Sequence, residues 1–166
     1  FFTNTSVNIA GSAVPAPGLR RFVDDRRAFL LAHPEIDRPT PSIQWLSHTP
    51  YRPQPGQSVT VQTRVSTEAG TSLSKVTLFY RHQPGRYFDA TMLDDGVAPE
   101  AMAGDGIFSV TLPVQLAAGE FVEYYASATM DAASGGAARF IPKYAEGRPN
   151  DIRVGFGASG IRITEV

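Results

Sequence analysis

Four acidic residues lie within twelve positions in the middle of the chain: Asp94, Asp95, Glu100 and Asp105. Glycines flank them, and calcium prefers several hard oxygen ligands carried on a flexible loop. The EF-hand spacing of such ligands is not present. Asp and Gly are also common in tight turns, because Asp accepts hydrogen bonds from nearby backbone and Gly tolerates positive φ. The stretch supports two hypotheses, a set of structural turns and a calcium site at these four residues; no other cofactor is expected.

Two tyrosines form the second group of candidate residues. Tyr87 and Tyr125 belong to segments that we expect to be neighbouring strands, and exposed aromatic rings can stack on sugar rings or peptides. Alternation along the second segment points Tyr124 inward and Tyr125 outward. A buried row of aromatic side chains would instead belong to the core. Ligand binding at Tyr87 and Tyr125 and a purely structural role therefore both remain open.

Residues that could perform catalysis are present, but not in a catalytic arrangement. His33, His48 and His82 are each isolated in sequence, whereas a zinc site needs several converging ligands. No Gly-x-Ser-x-Gly motif marks a nucleophile. Asp94 and Asp95 are adjacent, and glycosidase carboxylates must instead face each other across a substrate. We predict that the chain is not an enzyme and contains no catalytic residue.

Composition narrows the choice of partners. The 166 residues include 15 basic and 16 acidic side chains, for a formal net charge of -1, with no basic run that could follow a phosphate backbone. Nucleic acid is therefore not an expected partner. No apolar stretch approaches the ~18–20 residues of a membrane span, so direct membrane insertion is not expected either. The chain has no cysteine, which is compatible with export through an oxidising compartment.

The positioning elements change character along the chain. We expect residues 1–18 to be an extended lead-in. Apolar residues then recur at three- and four-residue spacing, which predicts a helix over 19–32. The helix ends before His33-Pro34, because the residue before a proline avoids helical geometry. Residues 33–42 are rich in proline and predict a linker.

From residue 43 onward the apolar period becomes two, which is typical of strands with one buried face. Seven strands are predicted, near residues 43–47, 59–65, 76–80, 87–92, 108–112, 122–128 and 137–141. Turn residues separate them, and no helical pattern intervenes to connect parallel strands. We predict an all-β fold, a seven-stranded antiparallel sandwich of the immunoglobulin or fibronectin-III-like kind over 43–156, with Trp45 in its core. Residues 157–166 predict a further strand.

A succession of short motifs carries a resemblance. They are VTLFYR at 76–81, MLDDGVAPEAMAGDGIF at 92–108 and VEYYASA at 122–128. This succession resembles the immunoglobulin-like accessory domains of exported bacterial proteins, in particular the one that follows the kinase-like domain of spore coat protein H-like (CotH-type) proteins. FVDDRRAFLL at 22–31 resembles the last helix of that kinase-like domain, and IRITEV at 161–166 resembles the first strand of a lamin-tail-type domain. The resemblance therefore implies that the helix over 19–32 is the tail of an upstream domain and that 157–166 is the start of a following module. Any catalytic activity would belong to the upstream kinase-like domain.

The resemblance implies a structural or spacer module of a larger exported bacterial protein, extracellular or at the cell surface. Its expected partners are neighbouring domains of the same protein. Two alternatives stay open. One is a carbohydrate- or protein-binding module, stabilised by calcium, that recognises a sugar or a surface protein. The other is a self-assembling surface subunit, in which exposed strand edges pair between copies.

Overall fold

The computed structural model describes residues 6–7 and 16–155, with side chains from Gly18 onward. The chain forms two compact units, and the boundary between them lies between Arg38 and Pro39. The boundary lies inside the segment 33–42 that the sequence predicts to be a linker. The predicted strand at 157–166 lies outside the described residues, as does most of the predicted lead-in 1–18.

The first unit contains a small strand pair and one helix. Strand β1 (Ser6–Val7) pairs antiparallel with β2 (Ala16–Pro17), and helix α1 (Leu19–Leu31) follows. The predicted helix is thus confirmed to within one residue. None of its residues is buried. Five large apolar side chains of α1 are more than half exposed: Leu19, Phe22, Val23, Phe29 and Leu31.

Eight strands make up the second unit. They are β3 (Ser42–Thr49), β4 (Thr60–Ser66), β5 (Leu73–His82), β6 (Phe88–Met92), β7 (Ile107–Thr111), β8 (Phe121–Met130), β9 (Ala138–Ile141) and β10 (Asn150–Arg153). One antiparallel sheet has the order β3-β4-β7. The other has the order β6-β5-β8, and β9 and β10 share the far edge of β8, pairing with different halves of it. The predicted all-β antiparallel architecture is confirmed as a β-sandwich with one short helix ahead of it.

The core lies between the two sheets and follows the predicted alternation. In β4 the side chains of Val61, Thr63 and Val65 are buried, and in β5 those of Val76 and Leu78. β-branched residues suit these positions because a branched side chain packs well on a pleated surface. One face of each strand therefore supplies the core.

The predicted strand count is wrong by one, because β10 was not predicted. This strand has only four residues, and its pairing with β8 runs from Asn150 opposite Tyr124 to Arg153 opposite Phe121. Ile152 is fully buried and Val154, just beyond the strand, is nearly so. A single apolar residue inside a four-residue strand is too weak a periodic signal to separate from a loop.

The prediction that Trp45 lies in the core is wrong. The pairing of β3 with β4 shifts register between Ile43 and Trp45, which is a β-bulge. An extra residue in one strand inverts the alternation beyond it. Ile43 and Leu46 consequently pack against the core, whereas Trp45 is only half-buried and is not part of it. The hydroxyl of the fully buried Thr63 donates to the Trp45 carbonyl oxygen at 2.6 Å.

The segment between β6 and β7 is held at both ends. Just after β6, Leu93 forms a bridge with Ser109 of β7, and each backbone N–H donates to the other's carbonyl oxygen at 3.0 and 2.8 Å. This bridge joins the edge strand of one sheet to the edge strand of the other. Residues 94–106 must therefore fold back on themselves at one end of the sandwich.

Over the described residues, no helix has both the length and the apolar character needed to cross a membrane.

Candidate functional site

The acidic loop, residues 94–106, is built from two glycine turns. Gly96 and Gly106 have φ of +70° and +81°, a region that L side chains rarely adopt. A Cβ on Gly106 would lie 2.9 Å from the carbonyl oxygen of Val65, and one on Gly96 would lie 2.9 Å from the backbone nitrogen of Ala103. Glycine is therefore required at both positions, and this explains the Asp-Asp-Gly and Gly-Asp-Gly spacing.

All four carboxylates of the loop accept hydrogen bonds from backbone N–H groups. Asp95 accepts from Val97, and Asp105 accepts from Ile107, each two residues ahead. These are Asx turns, as the structural hypothesis predicts.

The other two carboxylates reach across the loop. The Asp94 carboxylate accepts from the N–H groups of Gly104 and Gly106, one on each oxygen. Glu100 accepts from Gly96 N–H at 2.9 Å through its Oε2 atom. The two glycine turns are thereby connected through side chains, which fixes where the acidic groups lie.

Three of the four predicted ligands converge. One carboxylate oxygen from each of Asp94, Glu100 and Asp105 lies within 4.8 Å of the other two. Asp95 is not among them. Glu100 is only 7% exposed, and its Oε1 atom is buried without a hydrogen-bond partner. No ion pair within the described part of the chain involves these three side chains. The loop therefore concentrates negative charge without an internal counter-charge.

The predicted tyrosines lie together on the outer face of the β6-β5-β8 sheet. The ring of Tyr125 stacks on that of Phe79 at a centroid distance of 4.8 Å. The ring of Tyr87 contacts the Tyr125 ring edge-on, at a centroid distance of 4.9 Å. Arg81 places its guanidinium 4.4 Å from the Tyr87 ring centroid and pairs with Glu123 at 2.7 Å. We call these five residues the outer aromatic cluster.

The outer aromatic cluster is closed to solvent at its centre. Tyr125 is only 5% exposed, and its hydroxyl donates to Glu146 at 3.3 Å. Burial and the nearby Glu146 carboxylate raise the pKa of Tyr125 to about 12. The hydroxyl of Tyr87 is buried and lacks a partner, and burial also raises its pKa. The two tyrosines point outward as predicted for Tyr125, but their rings are covered by neighbouring side chains.

A second feature, not predicted from sequence, is a groove at the other end of the sandwich. It has a volume of about 650 Å³, and its lining includes His48, Tyr51, Tyr124 and Arg153. The His48 Nδ1 atom and the Tyr124 hydroxyl form a 2.7 Å hydrogen bond, and Arg153 is paired with Asp151. Burial raises the pKa of Tyr124. The bond from His48 satisfies the buried Tyr124 hydroxyl, so this histidine has a structural contact that its isolation in sequence did not reveal.

Comparison with known proteins does not assign the chain to a family: no protein-family model matches it, and the curated proteins contain no significant match. The resemblance of the motifs at 76–81, 92–108 and 122–128 to an accessory domain therefore remains a prediction.

Proposed function

We propose that this chain contains a non-catalytic spacer module, a fibronectin-III-like sandwich that connects other domains of an exported, surface-associated bacterial protein in series. The observation that carries the proposal is the position of the two ends of the described sandwich. Its first strand, β3, starts at Ser42. Its last described residue is Gly155, whose N–H donates at 3.3 Å to the carbonyl oxygen of Pro53, just beyond the other end of β3.

The separation of these two points follows from strand geometry. Strand β3 has eight residues, Ser42 to Thr49. Seven steps of about 3.3 Å give about 23 Å between its ends. Domains attached before Ser42 and after Gly155 would therefore be held at opposite ends of the sandwich. That is the arrangement needed by a module that sets a distance between its neighbours.

The order of the strands supports the fibronectin-III-like assignment. In that fold, the first, second and fifth strands form one sheet, and the remaining strands form the other around the third strand. Strands β3, β4 and β7 are the first, second and fifth strands of the second unit, and β5 is the third. In this interpretation, β9 and β10 together occupy the place of the last strand.

The preceding helix supports contact with a neighbouring domain. Helix α1 has no buried residue, and its apolar side chains, among them Phe22 and Phe29, are more than half exposed. An amphipathic helix is stabilised mainly by packing its apolar face. We infer that an adjacent domain of the same protein covers this face. The resemblance to exported bacterial modules and the lack of cysteine support an extracellular or cell-surface location.

Carbohydrate or protein binding is the second candidate, and one observation favours it. Phe140 and Tyr144 are 47% and 65% exposed. Phe140 lines a shallow hollow of about 230 Å³, together with Lys143 and Glu146. Exposed aromatic rings beside charged groups are typical of sugar sites. Tyr125, the residue predicted for this role, forms only the buried floor of the hollow, and Tyr87 is not part of it.

The spacing proposal is tested by distance measurement. The chain has no cysteine, so spin labels can be attached at Ser42→Cys and Gly155→Cys without background. Ser42 is exposed and a Cβ on Gly155 would meet nothing within 4 Å, so neither change should disturb the fold. We expect double electron–electron resonance to give one narrow distribution of distances between the two labels. Its centre should lie at about 20–35 Å, which is the strand length plus the length of the labels. A distance below about 15 Å would place both exits at one end and refute the proposal.

The binding alternative is tested on a glycan array with the whole chain. We expect no saturable binding from a spacer. Binding that is lost in Phe140→Ala or Tyr144→Ala, with the melting temperature unchanged, would replace the spacer proposal by the second candidate. Light scattering at rising protein concentration tests self-assembly; a monomer is expected, and a dimer or larger species would favour the self-assembling subunit.

A further inference from the structure

We propose that the acidic loop binds one calcium ion through Asp94, Glu100 and Asp105. Convergent carboxylates alone are common on protein surfaces. What distinguishes this loop is Glu100, a 93% buried side chain whose Oε1 atom has no partner. A buried acceptor without a donor is costly, and a buried charge without a counter-charge is costlier still. A cation satisfies both requirements at once.

The spacing of the oxygens suits calcium. Calcium binds oxygen ligands at 2.3–2.6 Å, so two ligands on opposite sides of the ion are about 4.6–5.2 Å apart. One oxygen from each of the three carboxylates lies within 4.8 Å of the others, so all three can contact a single ion. Magnesium binds at 2.0–2.1 Å, demands near-ideal octahedral geometry and loses its waters reluctantly, so three carboxylates on a loop suit it less well.

The hydrogen bonds of the loop leave ligand atoms available. Glu100 uses only Oε2 to accept from Gly96 N–H, and Asp105 uses only Oδ1 to accept from Ile107 N–H. Asp94 accepts one bond on each oxygen, but a carboxylate oxygen has two lone pairs and can accept a bond while ligating an ion. The turns therefore position the ligands without consuming them.

The position of the loop defines what the ion would do. Val65 N–H donates to the carbonyl oxygen of Gly106 at 2.9 Å, and Val65 pairs with Ile43 at the start of β3. The acidic loop thus lies at the end of the sandwich where the chain enters. Calcium bound here would stabilise that end and the bridge between β6 and β7. This goes beyond the spacer proposal and does not depend on it, because the ion could bind whatever the module connects.

The test is calorimetric titration of the whole chain with calcium, together with thermal melting in chelator and in about 10 mM calcium. Extracellular modules bind calcium with Kd of about 10⁻⁴–10⁻³ M. About 10 mM calcium then lowers the unfolding equilibrium constant about 10- to 100-fold, which raises Tm by about 4–10 °C. Magnesium at the same concentration is expected to do much less. No heat and no change in Tm would overturn the proposal, and so would an equal rise with magnesium.

Glu100→Gln is the decisive variant. Glutamine keeps the volume and an acceptor for Gly96 N–H but removes the charge. We expect the variant to melt no lower than the original chain in chelator and to lose the rise in calcium. Asp95→Asn is the matched control, since Asp95 lies in the same loop, accepts only from Val97 and is outside the cluster; it should retain the rise. If Glu100→Gln does not fold, the exposed Asp105→Asn serves in its place. A full calcium response in a folded variant of Glu100 or Asp105 would refute the assignment.

Discussion

Replacing Thr63 by valine should destabilise the sandwich although the two side chains have nearly the same shape. Thr63 is fully buried in β4 and faces the bulge in β3. Its hydroxyl donates to the carbonyl oxygen of Trp45 at 2.6 Å. A bulge disrupts the regular ladder and leaves backbone groups in need of other partners. The Thr63 hydroxyl supplies such a partner from inside the core.

The magnitude follows from two opposing terms. Valine leaves the Trp45 carbonyl without this donor, and a buried polar group that loses its partner costs about 1–3 kcal/mol. Valine also places a methyl where the hydroxyl was, which returns at most about 0.8 kcal/mol. We therefore expect Thr63→Val to lower the free energy of unfolding by about 1–2 kcal/mol. Thr63→Ser keeps the hydroxyl and loses one methyl, which costs about 1 kcal/mol by loss of packing alone.

The assay is urea denaturation followed by the fluorescence of Trp45, the only tryptophan in the chain. The slope of the free energy with urea should be unchanged in both variants, because neither alters the surface exposed on unfolding. A Thr63→Val variant as stable as the original chain, to within about 0.5 kcal/mol, would show that the hydroxyl contributes nothing net at this position.

Three further outcomes follow from the geometry. Gly106→Ala should cost about 1–3 kcal/mol, because φ is +81° and the new Cβ would lie 2.9 Å from the Val65 carbonyl oxygen; chemical denaturation measures it. Leu78→Ala, in the fully buried centre of β5, should cost about 2–5 kcal/mol by leaving a cavity. The half-exposed Leu93→Ala is its control and should cost much less in the same assay. Stability should fall as pH rises from about 10 to about 12, because the folded protein holds the Tyr125 proton to a pKa of about 12 whereas the unfolded chain releases it near 10; Tyr125→Phe should show a shallower fall in denaturation curves across that range.

Much of the fold could be predicted from the spacing of apolar residues along the sequence alone. In β4, β5 and β8 the core-facing side chains follow a two-residue apolar repeat, which predicts their burial directly. Two features could not be predicted in this way. The bulge near Trp45 adds one residue to β3, so the side chains in the later half of the strand point to the opposite faces. The alternation of apolar and polar residues in the sequence does not show where such an extra residue lies. Strand β10 is held by pairing with β8 rather than by its own composition, and only Ile152 within it is buried.

For the site residues too, contacts between residues near in sequence could be predicted, and contacts between residues remote in sequence could not. The convergence of Asp94, Glu100 and Asp105 could be predicted because residues within one loop are near in sequence, and this limits their separation in space. Asp95 lies outside that group, and its carboxylate turns instead toward the N–H of Val97. Tyr125 was predicted to point outward, and it does. Its burial depends on Glu146 and other groups remote in sequence, which alternation along one strand cannot indicate.

The structural and metal-binding hypotheses for the acidic loop do not exclude each other. Each Asx turn and each cross-loop bond occupies part of a carboxylate's accepting capacity and fixes its direction. The same bonds bring three carboxylates within 4.8 Å of one another, and within the described residues none of the three takes part in an ion pair. Turn formation therefore creates the unfavourable charge that a cation would relieve, and a loop with good turns is for that reason a better ligand set. If calcium binds as proposed, a chelator should loosen the loop without unfolding the sandwich, since Glu100 is not part of the core between the two sheets.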